Sequence, residues 1–294
     1  MPKMRPLPGG WMRRACIVAL MSWLAGAPAA TADPRSVDEV RASGELVMLA
    51  FPHQESEFVR VDLAAGPMPT RGGIEHFDGL DVDLMAAFAE HLGVRLVVQP
   101  VSQPAYAQLI PDLLDGRGDL IASSFSITPA RLEVVDFSRP YHSVYPVVVT
   151  LQDSDISTVE DLTTHRGAVM RGSSLEEALR ELGVPEERLH LVDFSIECFV
   201  AVLEGEADYL LADSSSSVRA LAFDDRLQRA LRLSGEDAYA VALPRDSGLK
   251  PMLDAFLAEL EGSGELAALI ATHLQSRSEE DAAEVEPGHR AAQR

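Results

Sequence analysis

Apolar positions fall into short runs that alternate with stretches of helical spacing. Residues 46–50 (LVMLA) form a brief apolar run of strand type. Over 81–92 the apolar residues Val82, Met85, Ala86, Ala89 and Leu92 recur every three or four positions, which is one face of a helix, and Gly93 follows as a stop. Residues 94–101 then predict a strand, 107–114 a helix and 119–123 another strand. The same order returns after residue 165, with strand 168–170, helix 174–182 ended by Gly183, strand 189–192, helix 196–203 and strand 209–212. Strands that alternate with helices specify an α/β fold built on mostly parallel sheets.

Two further β-rich stretches, 143–150 and 237–243, read as extended segments crossing between the two α/β sets, and helices at about 247–261 and 264–274 close the fold. The expected architecture is two-lobed, each lobe a sheet flanked by helices: lobe 1 from 36–144 plus 241–275, lobe 2 from 145–240, with a cleft between them. Pockets favour such interfaces and the carboxyl ends of strands. Residues 276–294 are charged and rich in Ala and Glu without apolar periodicity, so a disordered tail is expected there.

The amino terminus has a different character. Lys3, Arg5, Arg13 and Arg14 precede the 13-residue apolar run 15–27, and small residues follow at Ala30 and Ala32. That is the plan of a secretory signal peptide spanning 1–32, with cleavage near Ala32 and a periplasmic destination. The run is short for crossing about 30 Å of hydrocarbon, although an uncleaved anchor is the alternative. Cleavage removes four positive charges, taking the net charge from −21 to −25. With 25 Lys and Arg against 46 Asp and Glu and no basic stripe, the chain lacks the cations that displace counterions from phosphates, and nucleic acid is not an expected partner. Two cysteines, Cys16 and Cys198, make neither a disulfide framework nor a thiolate metal site; Cys198 reads as a buried helix residue. No metal and no cofactor is expected.

Three stretches carry candidate chemistry. In 119–141 a strand ends in a loop with Ser123, Ser124 and Ser126, and then Thr128 and Pro129 mark a helix start. Arg131, in that first turn, offers a planar fork to a carboxylate; the plainer alternative makes it a surface ion-pair member and the serines turn residues. In 171–177 the sequence Arg-Gly-Ser-Ser again follows a strand and opens a helix, a geometry for anions, while Ser174 with Glu177 also fits a simple capping box. In 207–217 Asp213 ends a strand before a helix, as an N-cap or as the partner of an ammonium group.

Together with other landmarks these stretches resemble the family 3 extracellular solute-binding proteins, the amino-acid receptors of ABC importers. The landmarks run in order: 37–46 (VDEVRASGEL), 77–84 (FDGLDVDL), 109–120 (LIPDLLDGRGDL), 126–131 (SITPAR), 135–141 (VDFSRPY), 172–174 (GSS), 203–209 (LEGEADY) and 262–266 (GSGEL). The resemblance implies a type II periplasmic-binding fold and a ligand α-carboxylate held by Arg131 with Ser124 and Ser126, helped by Ser174, with Ser173 beside it, in the Gly-Ser-Ser loop. It implies an α-ammonium held by Asp213 and a carbonyl at or near Ser124, and Tyr106 packing on the ligand. Both charges of a zwitterion enclosed in a cleft need partners, and an arginine fork with a single carboxylate supplies them. The loop after the first strand departs from the family pattern, leaving Phe51, His53, Glu55 and Phe58 as candidates for side-chain recognition.

The implied function is non-catalytic: capture of an amino acid or related small zwitterion by closure about hinges near 142–147 and 237–240, then delivery to the membrane permease of an ABC importer, as a monomer. Two alternatives share the fold. A periplasmic cyclohexadienyl dehydratase would need a cleft carboxyl as general acid, for which Glu55, Glu57 and Glu177 are available. A ligand-sensing or regulatory domain, as in lytic-transglycosylase relatives, would need a separate partner. No spacing of His, Ser or Gly supports another enzyme class, and His142 reads as a partly exposed loop histidine.

Overall fold

The computed structural model describes residues 32–53, 56–61, 66–67, 69–103 and 105–274. The expected leader up to residue 31, the expected tail 276–294 and Glu55 lie outside the described residues.

Helix α1 (Val37–Ser43) opens with a capping box, Ser36 and Glu39 each bonding the other's backbone N–H, and closes on Gly44 in the left-handed region. Strand β1 (Glu45–Ala50) follows, then the short pair β2 (Arg60–Val61) and β3 (Phe77–Asp78), helix α2 (Leu80–Leu92) and strand β4 (Arg95–Pro100). A 3₁₀ turn, Tyr106–Gln108, leads into α3 (Leu109–Leu114), then β5 (Leu120–Ile121), the one-turn α4 (Pro129–Leu132), β6 (Asp136–Phe137) and β7 (His142–Val144). After them come β8 (Pro146–Leu151), β9 (Gly167–Met170), α5 (Ser174–Glu181), β10 (Leu189–Val192), α6 (Ser195–Leu203), β11 (Tyr209–Asp213) and α7 (Ser214–Phe223). The last elements are β12 (Leu227–Arg232), β13 (Asp237–Tyr239), β14 (Ala242–Leu243), α8 (Leu249–Ser263) and α9 (Glu265–His273).

The strands form two five-stranded sheets, β4-β1-β5-β14-β6 and β10-β9-β11-β8-β12. In the first, β1 runs parallel to β4 from Glu45 opposite Arg95 to Ala50 opposite Pro100, and parallel to β5; β14 is antiparallel to both its neighbours. In the second, β9 is parallel to β10 and β11, while β8 is antiparallel to β11 and β12. The period of two along β1 sends Leu46, Met48 and Ala50 into one core with Leu84, Met85 and Phe88 of α2 and Leu253 and Leu257 of α8, and sends Leu49 into another with Leu109 and Leu113 of α3. In β11 the same alternation gives Leu210 and Ala212 to the α6 side and Tyr209 and Leu211 to the α5 side. Each of the buried Leu, Met and Phe side chains contributes about 1.5–3 kcal/mol by leaving water, the alanines less.

Between the sheets β7 and β13 pair antiparallel, Asp237 opposite Val144 and Tyr239 opposite His142. His142 is therefore a half-buried strand residue rather than a loop one, because the crossing segment finds its own partner. The second crossing divides in two, and its far part, β14, joins the first sheet. At the opposite end of that sheet Asp119 is buried, accepts a hydrogen bond from the Val47 N–H at 2.7 Å and pairs with Arg35. Arg35 also donates to the Glu45 carbonyl (3.1 Å), and the Ala32 N–H donates to the Leu114 carbonyl (2.9 Å).

Candidate functional site

The carboxyl ends of β1, β5, β9 and β11 and the strand β13 converge on one cleft enclosing about 860 Å³, open solvent at its mouth included. From the first sheet come Phe51, His53, Ser123, Ser124 and Ser126, with Tyr106 from the turn ahead of α3; from the second come Ser173, Ser174 and Asp213; from the crossing come Asp237 and Tyr239. Of the residues implied to hold the ligand, Phe51, Tyr106, Ser124, Ser126, Ser173, Ser174 and Asp213 thus share one cleft, and Arg131 does not line it.

The β5 loop is held by hydrogen bonds to the end of β1, to Tyr106 and within itself. The Ser123 hydroxyl accepts from the Phe51 N–H (3.0 Å), joining the β5 loop to the end of β1. Ser124 adopts a left-handed backbone, φ 46°, which L side chains rarely do, and its hydroxyl donates to the Ser123 carbonyl at 2.7 Å. The Tyr106 hydroxyl lies 3.2 Å from the Ser123 carbonyl and 3.3 Å from that of Ser124. Burial pushes the Tyr106 phenol well above its ordinary value, so it stays a donor.

Thr128 caps α4, accepting from the Arg131 N–H, and Pro129 stands in the first turn as the sequence implies. Arg131 is 6% exposed and so is no surface ion-pair member. It stands beside the cleft rather than in its wall, bordering a second cavity with Tyr106, Phe125, Gly172 and Glu177. Its guanidinium lies over the Phe125 ring, 3.9 Å from ring centroid to carbon Cζ. Nη1 donates to the Ser126 carbonyl (2.8 Å), and Nη2 reaches the other sheet's loop, donating to the Gly172 carbonyl (3.1 Å).

The second sheet's loop differs from the expected capping box in one position. Ser173, not Ser174, is the N-cap of α5, accepting from the Glu176 N–H at 3.2 Å, and Glu176 reaches back to the Gly172 N–H. This shift frees Ser174: its hydroxyl lies 3.0 Å from both the Ser126 hydroxyl and an Asp237 carboxylate oxygen. A carboxylate only accepts, so Ser174 donates to Asp237 and receives from Ser126. Asp213 does cap α7, accepting from the N–H and hydroxyl of Ser216 at 2.8 Å each, and it also lines the cleft. Tyr239 beside it is raised well above the ordinary phenol range, by burial first and by the Asp213 charge second.

Three cleft residues, Asp237, Tyr239 and Arg219, and Phe194 packed behind Phe51, carry no recognisable sequence motif. Asp237 begins a crossing strand; Tyr239 follows it on the same face two residues on. Arg219 of α7 lines the cleft and forms an ion pair with Glu57 at 3.2 Å, joining the two halves. Burial raises the Glu57 carboxyl, against the lowering effect of Arg219. Phe194 stacks on Phe51 with centroids 5.5 Å apart, and His53, edge-on to both rings, is lowered to about 4 by burial and then by Arg219, so it is neutral at pH 7. Cys198 is a buried helix residue, its thiol pushed up to about 12 by burial. Among the described residues no cluster of three or more His, Cys, Asp or Glu side chains is placed to hold a metal ion. Nor is any described helix long and apolar enough to cross a membrane.

This chain belongs to the bacterial extracellular solute-binding proteins, family 3, whose pattern it matches over residues 59–276. It is 30% identical over 199 residues to the amino-acid-binding protein AabA of Dichelobacter nodosus, covering 65% of this chain and 77% of that one. It is 28% identical over 230 residues to membrane-bound lytic murein transglycosylase F of Methylobacillus flagellatus, covering 76% of this chain but only 49% of that one, so it spans about half the length of that relative. Cyclohexadienyl dehydratase of Pseudomonas aeruginosa is 27% identical over 216 residues, covering 68% and 76% of the two chains. Among solved structures, the arginine-bound form of a truncated ArgBP from T. maritima superposes with a TM-score of 0.65 at 29% identity, covering 76% of this chain and 99% of that one.

Proposed function

We propose that the protein captures an α-amino acid in the periplasm by closing its two lobes and passes it to the permease of an ABC importer. The observation that carries this reading is a pair of opposite charges at one cleft: Asp213 at the end of β11 lines it, and the buried Arg131 guanidinium stands just beside it, bonded to the carbonyl of the cleft residue Ser126. The ligand carboxylate takes the place of the Gly172 carbonyl on Arg131 Nη2 and accepts from the Ser126 and Ser174 hydroxyls, with Ser173 and Ser124 completing the rim. Its ammonium group meets Asp213 and the Ser124 carbonyl, and Phe51 and Tyr106 cover its stem. Each pole then has a charged partner, which removes the several kcal/mol penalty of an unpaired enclosed ion.

Closure moves residues 145–240 against 36–144 plus 241–275, about the β7–β13 pair. Ligand favours the closed form only through contacts made to both lobes at once. Cleavage of the leader near Ala32 releases the mature protein as a monomer. The test is a thermal-shift screen of the mature protein against the twenty amino acids, with L-arginine first because of the arginine-bound neighbour, followed by calorimetry. A ligand at a hundred times its Kd adds about 2.7 kcal/mol to stability, an easily read shift. No shift with any amino acid refutes the reading.

A second reading, a dehydratase, is favoured by one observation: beside the cleft lies a half-buried carboxyl, Glu57, raised by burial against the lowering effect of its partner Arg219, and a raised carboxyl is the kind of group a general acid requires. Glu177 borders the second cavity, beside Arg131. Incubation with prephenate and arogenate separates the two readings, since turnover lost in Glu57→Gln supports the enzyme.

A further inference from the structure

Helix α2 carries an ionisable group that the proposed capture mechanism does not use. Asp81, in the first turn of α2, is 1% exposed, with both carboxylate oxygens engaged. One accepts from the Ser124 N–H at 2.6 Å, and the other from the Tyr141 hydroxyl at 2.6 Å. Ser124 is one of only two non-glycine residues with positive φ among those described, and Tyr141 directly precedes the crossing strand β7. A single carboxylate therefore ties the strained cleft loop to the start of the crossing.

A core position that needed only space would hold an apolar residue, and burying a charge is strongly unfavourable. Sites that keep such a group together with a strained residue are sites where the strain serves a purpose. We propose that Asp81 is a positioning residue of the amino-acid site: it holds Ser124 in its left-handed conformation, carbonyl beside Tyr106, and its negative charge strengthens the ammonium end of the cleft. This rests on the capture reading above.

Burial raises Asp81 to about 6, opposed by the bonds from Tyr141 and Ser124 and by the charge of His273. The groups that face it are Tyr141 ahead of β7, the Ser124 amide, Tyr106 ahead of α3, and His273 on α9, itself bonded to Asp83 at 2.8 Å. Above pH 6 the carboxylate accepts from both partners. Below it the carboxyl is neutral, so the Tyr141 hydroxyl and the Ser124 N–H both face a weaker acceptor. Ligand affinity therefore falls as pH drops through about 6. Stability runs the other way: a carboxyl raised from 3.8 to about 6 in the folded state binds more protons folded than unfolded between those values, so its contribution is present at low pH and lost as pH rises through 6.

Two measurements test this on the mature protein. In ¹⁵N-labelled protein without added ligand, the Ser124 amide resonance is expected to titrate with a midpoint near pH 6, and to be flat in Asp81→Asn; a flat wild-type profile overturns the proposal whatever the ligand. Calorimetry with L-arginine at pH 5 and pH 8 is expected to show wild type binding several-fold more tightly at pH 8. Asp81→Asn should be weaker than wild type about fivefold or more at pH 8, without melting lower there, since it sheds a buried charge. Equal L-arginine affinity of the two proteins at pH 8, or a loss matched by a lower melting temperature, overturns it. Absence of L-arginine binding by the wild type counts against the ligand choice, and the amide titration still decides the positioning role. Tyr141→Phe removes only one bond that lowers Asp81, and should move the Ser124 midpoint upward.

Discussion

Replacing Arg131 by alanine tests the carboxylate clamp most directly. The wild-type side chain is 6% exposed, donates to two carbonyls at 2.8 and 3.1 Å, and lies 3.9 Å over the Phe125 ring. Truncating one member of an enclosed, hydrogen-bonded charge pair costs about 2–5 kcal/mol of binding. The serine hydroxyls remain, so the lower end applies, and about 2 kcal/mol is roughly a thirtyfold rise in Kd. In the absence of amino acid the variant loses the ring contact, worth about 1 kcal/mol, and two charge-assisted bonds, but also sheds a buried charge. A net loss of about 1–2 kcal/mol lowers Tm by roughly 2–8 °C for a domain of this size. The N-cap of α4 survives, because Thr128 bonds the Arg131 backbone. Arg131→Lys keeps the charge but not the fork, and should fall between the two. Calorimetry with the best amino acid of the thermal-shift screen, on variants whose circular dichroism is native, reads the effect. An affinity within twofold of wild type in Arg131→Ala refutes the assignment.

Three other outcomes follow from the same geometry. Gly172 has φ 76°, and a Cβ there would sit 2.6 Å from that of Ala107 on the other half of the cleft, so Gly172→Ala should weaken amino-acid binding at least tenfold and enlarge the radius of gyration in saturating ligand by small-angle scattering; an unchanged scattering profile speaks against closure at this contact. The Thr150 hydroxyl in β8 is fully buried and has no hydrogen-bond partner among the described residues, so Thr150→Val should raise stability by about 1 kcal/mol in chemical denaturation, whereas a loss would mean that the hydroxyl has a partner in solution. With its thiol pushed up to about 12, Cys198 should resist alkylation at pH 8 in the native protein and react once unfolded, as mass spectrometry can follow.

Much of the fold was legible because hydrophobic spacing is governed by local geometry. Helix α2 and strands β1 and β10 fall where the period of 3.6 or 2 places them. Strand β12 escaped notice because it is an edge strand, half exposed and carrying Gln228, Arg229 and Arg232, with a bulge between Arg229 and Leu231. The cleft serines and Asp213 were legible because strand ends and helix caps have sequence signatures. Asp237, Arg219 and Phe194 had none: they matter through contacts with Ser174, Glu57 and Phe51, which are 63, 162 and 143 positions away in the chain. The identity of the cap was ambiguous because two adjacent serines can each satisfy it, and only the three-dimensional course of the loop selects Ser173.

The Arg35–Asp119 staple sets where the first described residues leave the molecule. Residues 32–35 are fastened to the amino-terminal ends of β1 and β5, whereas Phe51 and Ser123 stand at the carboxyl ends of those strands. Residue 32 therefore lies at the end of the first sheet opposite the cleft lined by Phe51 and Ser123. A fluorescent reporter, affinity tag or surface linker joined at residue 32 is attached at the end of the sheet away from the proposed binding cleft, and is expected to leave amino-acid binding by the tagged protein unchanged.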